Sequence, residues 1–378
     1  MMNTGFDLTY VTIDSVSEGV GSSQILPLLK RLSSKGLSIN LISFEKNLPG
    51  HDLQLAIKDS GVYWNHRAFE GRGAFGSLSR ILDMSKEIPE TRIIHARSDI
   101  PALAAALSRK APILWDVRSL WADQKAFIEE NQLKKTILNS YRVLENIASF
   151  NASAMSTLTN SIVPILEKRH RSLPKLRTVV PTAVDLEHFK FNPIMPSTIR
   201  GLYSGTYNNY YDLTLSERFV KSLLGLQPME IHWARPNESP KSELKAGETK
   251  IFATTQREMS SIVPGYSFGI SICRNDAGPS LKAAMPTKVA EFLSCGRPVI
   301  VNAGLGDLDD YLSEFDAGVI LDGTASDLEI QAQKLLSLLA DPETPQRCRA
   351  LAEKYFDMDK GAEKYLDVYA KVWGQTPN

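Results

Sequence analysis

Residues 284–304 read AMPTKVAEFLSCGRPVIVNAG, and their punctuation decides the fold. Pro286 suits the first turn of a helix, where its missing N–H costs little, and Gly296 with Pro298 closes that helix. The PVIVNAG run that follows is short, apolar and β-branched, the pattern of a buried strand. FGISIC, from Phe268 to Cys273, supplies a strand before the helix. Strand, helix and buried strand in succession make a βαβ unit, which requires a parallel sheet with helices packed on it.

Working outward, the same alternation fills the chain. DLTYVTID, SINLISF, VYWNH, RIIHA, ILWDV, AMSTLT and RTVVPT read as strands of a first doubly wound unit. The segments between them read as helices: SSQILPLLKRLSSKG closed by Gly36, HDLQLAIKDSG, Leu78 to Glu87, Ile100 to Arg109, and a long amphipathic stretch from Lys125 to Phe150. That unit spans about 185 residues, within single-domain range. PTAVDLEHFKFNPIMPSTIRG carries three prolines and little periodicity, as a linker would. GLYSGTY, MEIHWA, KIFAT, FGISIC, PVIVNAG and AGVILD then open a second series. The expected architecture is α/β, with one domain over residues 1–190 and another over 191–359. The amphipathic tail 360–378 places Tyr365, Val368, Tyr369, Val372 and Trp373 at helical spacing.

Composition bounds the function. The chain has 378 residues with 43 Lys+Arg against 43 Asp+Glu, so no global charge recruits nucleic acid. That zero hides a split of +5 over residues 1–190 and −5 over residues 191–378. The basic excess lies mainly between Lys134 and Arg177, with eight Lys/Arg against two Asp/Glu. Such a stretch is a solvated face by default, and an anionic membrane surface is the alternative partner. The sequence has no apolar run long enough to span a bilayer and no signal-peptide pattern. Cys273, Cys295 and Cys348 lack metal-ligand spacing and read as buried thiols of a reducing cytoplasm.

In parallel sheets ligands sit beyond the carboxyl ends of strands, so the loops there hold the candidates. SEGVGSSQ (17–24) offers Gly19 and Gly21 for close backbone approach, with Ser22 or Ser23 to cap the next helix. It is neither a P-loop nor a complete G-x-G-x-x-G, and a plain strand–helix turn fits it equally well. HARSDIP and WDVRSLWAD bring His95, Arg97, Asp116, Arg118 and Asp123 to strand ends, with Trp115 and Trp121 as packing or stacking surfaces. The arginines serve there either as anion ligands or as bridges to Asp116 and Asp123. YSGTYNNYYD puts Gly205 after a strand, where bare backbone can meet a diphosphate, and clusters Tyr207, Tyr210 and Tyr211. Lys288 and Glu291 share a helix face. They form either a surface ion pair or a joint contact set for a phosphate and a ribose.

Taken in order, GSSQILPLLKRLSSKG with ISFEK, IHARSDIPALAAAL, WDVRSLWAD, STLTNSIVPIL, VVPTAVDLEHF and MPTKVAEFLSCGRPVIVN resemble glycosyltransferase family 4, and more narrowly its bacterial members that attach sugars to polysaccharide or glycolipid precursors. The resemblance covers nearly the whole chain. It is strongest over 286–302 and 181–189 and weaker over 213–266. It implies the GT-B fold, with two Rossmann-like domains facing a cleft and a C-terminal helix crossing back to the first. It also implies a retaining transfer of a sugar from a nucleotide-sugar to a hydroxyl acceptor. Glu291 matches the family glutamate on the nucleotide ribose. Gly205 falls near the donor phosphates, and Gly19 and Gly21 fall in the loop over the sugar and diphosphate. Asp116, Arg118 and Arg97 are the catalytic candidates, while Arg235 and Lys288 are candidates for neutralising the diphosphate. The family often carries another glutamate eight residues before Glu291, and here Ala283 stands there. Metal-independent activity without a cofactor is expected. A nucleotide-sugar 2-epimerase and a non-catalytic sugar-nucleotide-binding partner are the alternatives.

Overall fold

A computed structural model describes residues 5–71, 73–204, 210–235, 248–252 and 256–375. The chain divides into two compact units, residues 1–180 with 358–378 and residues 181–357.

The first unit holds seven parallel strands. They are β1 (Phe6–Val11), β2 (Ile39–Glu45), β3 (Val62–Ala68), β4 (Thr91–Arg97), β5 (Ile113–Val117), β6 (Ala154–Thr157) and β7 (Leu176–Val179). Their spatial order is β3-β2-β1-β4-β5-β6-β7, which reverses direction between β1 and β4. A crevice opens at such a reversal because the flanking loops leave in opposite directions. The second unit repeats the plan with β8 (Arg200–Ser204), β9 (Glu230–Arg235), β10 (Glu248–Phe252), β11 (Phe268–Ser271), β12 (Val299–Asn302) and β13 (Gly318–Leu321). Its order is β10-β9-β8-β11-β12-β13, with the reversal between β8 and β11. Two α/β units of this topology match the GT-B architecture expected from the sequence.

Central strands are buried on both faces, which is why they read as continuous apolar runs. In the second unit Phe219, Phe268, Leu223, Val319 and Leu335 pack into one core. Gly269 sets the distance between β11 and the helix Thr287–Ser294. A Cβ there would collide with the Phe292 ring, so only glycine lets that ring, 1% exposed, seat against the strand. Burying such a ring stabilises by roughly 2 kcal/mol and holds the helix carrying Lys288 and Glu291 on the sheet.

The segment expected as a linker is packed into the second unit. Val184 and Phe189 are fully buried, and the Thr182 hydroxyl donates to Met285 O at 2.7 Å. The buried Arg297 guanidinium donates to the carbonyls of Asn192, Ile194 and Pro264 at 2.9–3.0 Å. Its prolines leave carbonyls unclaimed by regular structure, and one arginine gathers them. The expected stretch from Lys125 to Phe150 is three helices, Trp121–Ile128, Gln132–Ser140 and Arg142–Asn151. Asn131 starts the second by accepting from Lys134 N at 3.1 Å, an N-cap that interrupts what periodicity alone joins.

The tail forms the helix Met358–Gln375, which belongs to the first unit. Arg31 on the first α-helix, Leu26–Ser34, anchors it through Asp359 at 2.8 Å. Tyr365, Val368, Tyr369 and Val372 form its buried stripe.

Candidate functional site

Both reversal points collect ionisable groups, each within its own unit. In the first unit the parallel register aligns Arg97 with Asp116 and Asp116 with Ser156 across β4, β5 and β6. Two residues back along β4, His95 lies beside Tyr10 of β1. Strand alternation puts His95 and Arg97 on one face. The Asp116 carboxylate is 1% exposed. It accepts from Ser156 Oγ at 2.8 Å and Tyr365 OH at 3.3 Å. Around it stand His95 Nε2 at 3.3 Å, Arg118 Nη1 at 3.8 Å and Arg97 Nη1 at 3.9 Å. Burial opposes its ionisation, but Arg118, His95 and Arg97 outweigh that and hold it well below the usual carboxylate range. Burial, in turn, keeps His95 below its ordinary value.

The three catalytic candidates stand together here. Asp116 is enclosed, with Arg97 and Arg118 beside it. Arg97 Nε donates to the half-exposed Asp14 at 2.9 Å, so Asp14, which the sequence pattern puts inside a strand, lies just beyond β1 and brings a carboxylate to the crevice. Asp123 does not join them. It accepts from Arg142 and Arg169 at 2.8 Å, with Glu145 and His170 behind, as a separate structural cluster. Trp115 is fully buried and donates to Asp99 Oδ1 at 3.2 Å, a core role. Trp121 packs edge-on against Tyr141 at 5.6 Å. Ser98, next to Arg97, holds φ 77° and ψ −179°, a region that costs a non-glycine residue about 1–3 kcal/mol.

The glycine loop is organised by a residue whose role the sequence did not announce. Glu45, ending β2, accepts from Ser15 Oγ at 2.6 Å, Ser17 Oγ at 2.7 Å and Ser43 Oγ at 2.6 Å. The backbone N–H groups of Val16 and Ser17 donate to it as well, at 3.0 and 3.1 Å. Burial pushes its pKa up, but these donors lower it overall. Gly21 is buried, and a Cβ there would drive into the Ser15 carbonyl, with Val16 Cα 2.7 Å away. Its bareness therefore closes the loop on itself. Gly19, at φ 55° with open space around it, is the glycine turned outward. Neither serine caps the helix: Ser22 Oγ donates to Gly19 O and Ser23 Oγ to Val20 O. The turn starts instead as a π-helical segment, Gly21–Ile25.

In the second unit, Pro286 is the N-cap of the helix Thr287–Ser294; Lys288 is its second residue and Glu291 sits one turn on. Both are buried, 9% and 8% exposed, which removes the surface ion-pair reading. The Lys288 ammonium donates to Ser204 O at the end of β8. It also lies 4.1 Å from the Tyr211 ring centroid and 5.2 Å from that of Tyr203, so Tyr211 packs a cation. Burial lowers Lys288 to about 8, and burial raises Glu291 to about 7. Among the described residues the Glu291 carboxylate makes no hydrogen bond and no ion pair within 4 Å. Asn302, ending β12, accepts from Cys273 N at 2.7 Å and donates to Asn275 Oδ1 at 2.8 Å, fixing the loop beyond β11. Arg274 on that loop, a cation passed over in the sequence, is gripped by Asp276 at 3.0 and 2.7 Å. Gly205 and Tyr207 lie outside the described residues, as does the Arg235 side chain, whose backbone ends β9. Among the described residues no three His, Cys, Asp or Glu side chains cluster as metal ligands.

No protein-family model matches the chain, and no curated protein matches it. Solved structures do. Sucrose-phosphate synthase from Thermosynechococcus elongatus is similar over 98% of this chain and 99% of its own, with TM-score 0.72 and 12% identity. Anabaena HepE, solved with UDP and glucose, is similar over 97% and 99%, with TM-score 0.68 and 11% identity. WaaG, a glycosyltransferase involved in lipopolysaccharide biosynthesis, is similar over 96% and 99%, with TM-score 0.64 and 12% identity. At these identities the shared property is the fold.

Proposed function

We propose that this protein is a retaining glycosyltransferase of family 4 type, moving a sugar from a nucleotide-sugar to a hydroxyl acceptor in cell-surface polysaccharide or glycoconjugate synthesis. The observation carrying this reading is the Lys288–Glu291 pair: a buried cation beside a buried carboxylate that has no hydrogen-bond partner among the described residues. A carboxylate in a mostly buried side chain, with no donor among the described residues, is able to accept from ribose hydroxyls. The ammonium beside it suits a diphosphate. The GT-B fold adds support, since HepE of that fold was solved with UDP and glucose.

In this reading the second unit binds the donor through Lys288 and Glu291, with Gly205 and Arg235 still candidates beside them. In the first unit Arg97 and Arg118 orient the reacting sugar or acceptor, and Asp116 acts through them. Gly19 and Gly21 remain candidates for the donor loop, Gly19 with open backbone and Gly21 packed on the Ser15 carbonyl. Catalysis then rests on stabilising the departing diphosphate with fixed cations and N–H groups. Metal independence belongs to the same proposal; chelation with EDTA should leave donor binding unchanged.

A thermal-shift panel of UDP, GDP, ADP, CMP and dTDP tests the reading, because a ligand of the folded state raises the midpoint. One nucleotide should stabilise the wild type, and Glu291→Ala should lose most of that shift. An unchanged shift in Glu291→Ala would remove the donor-site assignment. An epimerase should release free nucleotide from the donor without an acceptor, and a binding partner should bind without turnover.

A lipid-linked acceptor fits the helices Gln132–Ser140 and Arg142–Asn151. Leu133, Ile137, Val143 and Phe150 are exposed there, beside Lys134, Lys135 and Arg142. Apolar side chains rimmed by cations suit an anionic bilayer surface. Among the described residues no helix is long and apolar enough to cross a membrane. Co-sedimentation with phosphatidylglycerol vesicles that weakens with salt, and is absent with phosphatidylcholine, is expected; equal retention on both lipids would count against it.

A further inference from the structure

Tyr365 and Tyr369 stand four residues apart on the helix Met358–Gln375, and both reach the polar face of the first sheet. Tyr369 OH lies 2.6 Å from His95 Nδ1. Tyr365 OH donates to Asp116 Oδ1 at 3.3 Å and accepts from Arg118 Nη1 at 3.4 Å. Both tyrosines and His95 are essentially inaccessible, at 2%, 0% and 0% exposure. The proton positions follow from a charge contact that is close but not aligned as a hydrogen bond. His95 Nε2 faces Asp116 Oδ2 at 3.3 Å. A neutral imidazole with its proton on Nε2 meets that anion favourably, whereas the other tautomer would aim a lone pair at it. Nδ1 is then an acceptor, and the Tyr369 hydroxyl is its donor. Phenylalanine at 365 and 369 would keep the buried ring contacts of the stripe. Two hydroxyls there are explained by their partners and not by packing.

We propose that Tyr369 and Tyr365 are positioning residues: Tyr369 fixes His95 in the Nε2–H tautomer, and Tyr365 fixes Asp116, so that Arg97 and Arg118 are held at the ends of β4 and β5. The C-terminal helix thereby completes the charged end of the first sheet, besides closing its face. The groups facing His95 are Tyr10 from β1, Arg97 from β4, Asp116 and Arg118 from β5 and its loop, and the two tyrosines. The consequence for catalysis rests on the glycosyltransferase reading; the tautomer does not.

The test uses the full chain labelled with 15N-histidine. Long-range proton–nitrogen spectra near neutral pH should show His95 protonated on Nε2, with Nδ1 shifted as a hydrogen-bonded acceptor. His95 is assigned by the signal that disappears in His95→Asn. Tyr369→Phe should move the Nδ1 resonance toward an unbonded acceptor, whereas Val368→Ala on the same buried stripe should leave it in place. In transfer assays Tyr369→Phe should lower kcat about tenfold with donor KM unchanged, as expected for one buried hydrogen bond. Val368→Ala should not lower it. A proton on Nδ1 in the wild type, or a Tyr369→Phe spectrum matching that of Val368→Ala, would overturn the proposal. If no donor supports transfer, the glycosyltransferase reading falls while the spectra still decide the tautomer.

Discussion

Asp116 in the first unit and Glu291 in the second are both buried carboxylates, yet their surroundings move them in opposite directions. Asp116 is held well below the usual carboxylate range, since Arg118, His95 and Arg97 outweigh its burial. Glu291 has only Lys288 to offset burial and is raised to about 7. That rise from 4.5 corresponds to roughly 3 kcal/mol disfavouring its charged form. Asp116 is ringed by two arginines, His95 and two hydroxyl donors on Oδ1, although its Oδ2 has no aligned donor, whereas the Glu291 carboxylate accepts no hydrogen bond from the described residues. Burial alone does not separate the two carboxylates, but the count of partners does.

The largest expected effect breaks the Asp116 side of that contrast. Asp116→Asn leaves Arg118 without its anion and Arg97 with Asp14 alone, and should cost about 3 kcal/mol in denaturant unfolding. Glu291→Gln removes a disfavoured charge and should cost less than about 1 kcal/mol. Equal losses would erase the distinction. The sign in acid follows from the depressed Asp116 value. Its contribution is present above the unfolded value of 3.8 and is lost as pH falls toward the folded one. Asp116→Asn should therefore flatten part of the acid limb of the stability curve. A smaller effect sharpens the contrast within the glycine loop. Gly21→Ala must displace the Ser15–Val16 backbone, at about 3 kcal/mol by overpacking. Gly19→Ala meets no atom and bears only its φ of 55°, about 1 kcal/mol. Thermal melts of the pair should rank in that order.

Most of the fold was legible because its strands are buried on both faces and bounded by glycine, proline or polar turns. ILWDV, for instance, coincides with β5 residue for residue. The 181–199 segment was not, since its order comes from distant donors such as Arg297 that local periodicity does not register. At the site, Lys288 and Glu291 were visible through their spacing, but their burial depends on Gly269 admitting Phe292. Glu45 was missed because a glutamate before Lys46 reads as solvated. The available signal was Ser15 and Ser17 leaving β1 beside Ser43 and Glu45 at the end of its parallel neighbour β2. Helical spacing puts Tyr365 and Tyr369 on one face of the tail, and only the register of β4 and β5 shows what their hydroxyls reach.

The central claim is that the Lys288–Glu291 pair binds a nucleoside diphosphate, and its pH dependence tests it most directly. Calorimetric titration of the responding nucleotide from about pH 6 to about pH 9 should give an affinity maximum between the two shifted values. Below about 7 Glu291 takes up a proton, and above about 8 Lys288 loses one. Glu291→Gln should bind at least tenfold more weakly and lose the acid limb, consistent with one charge-assisted hydrogen bond. A flat profile, with Glu291→Gln binding as tightly as the wild type, would contradict the account.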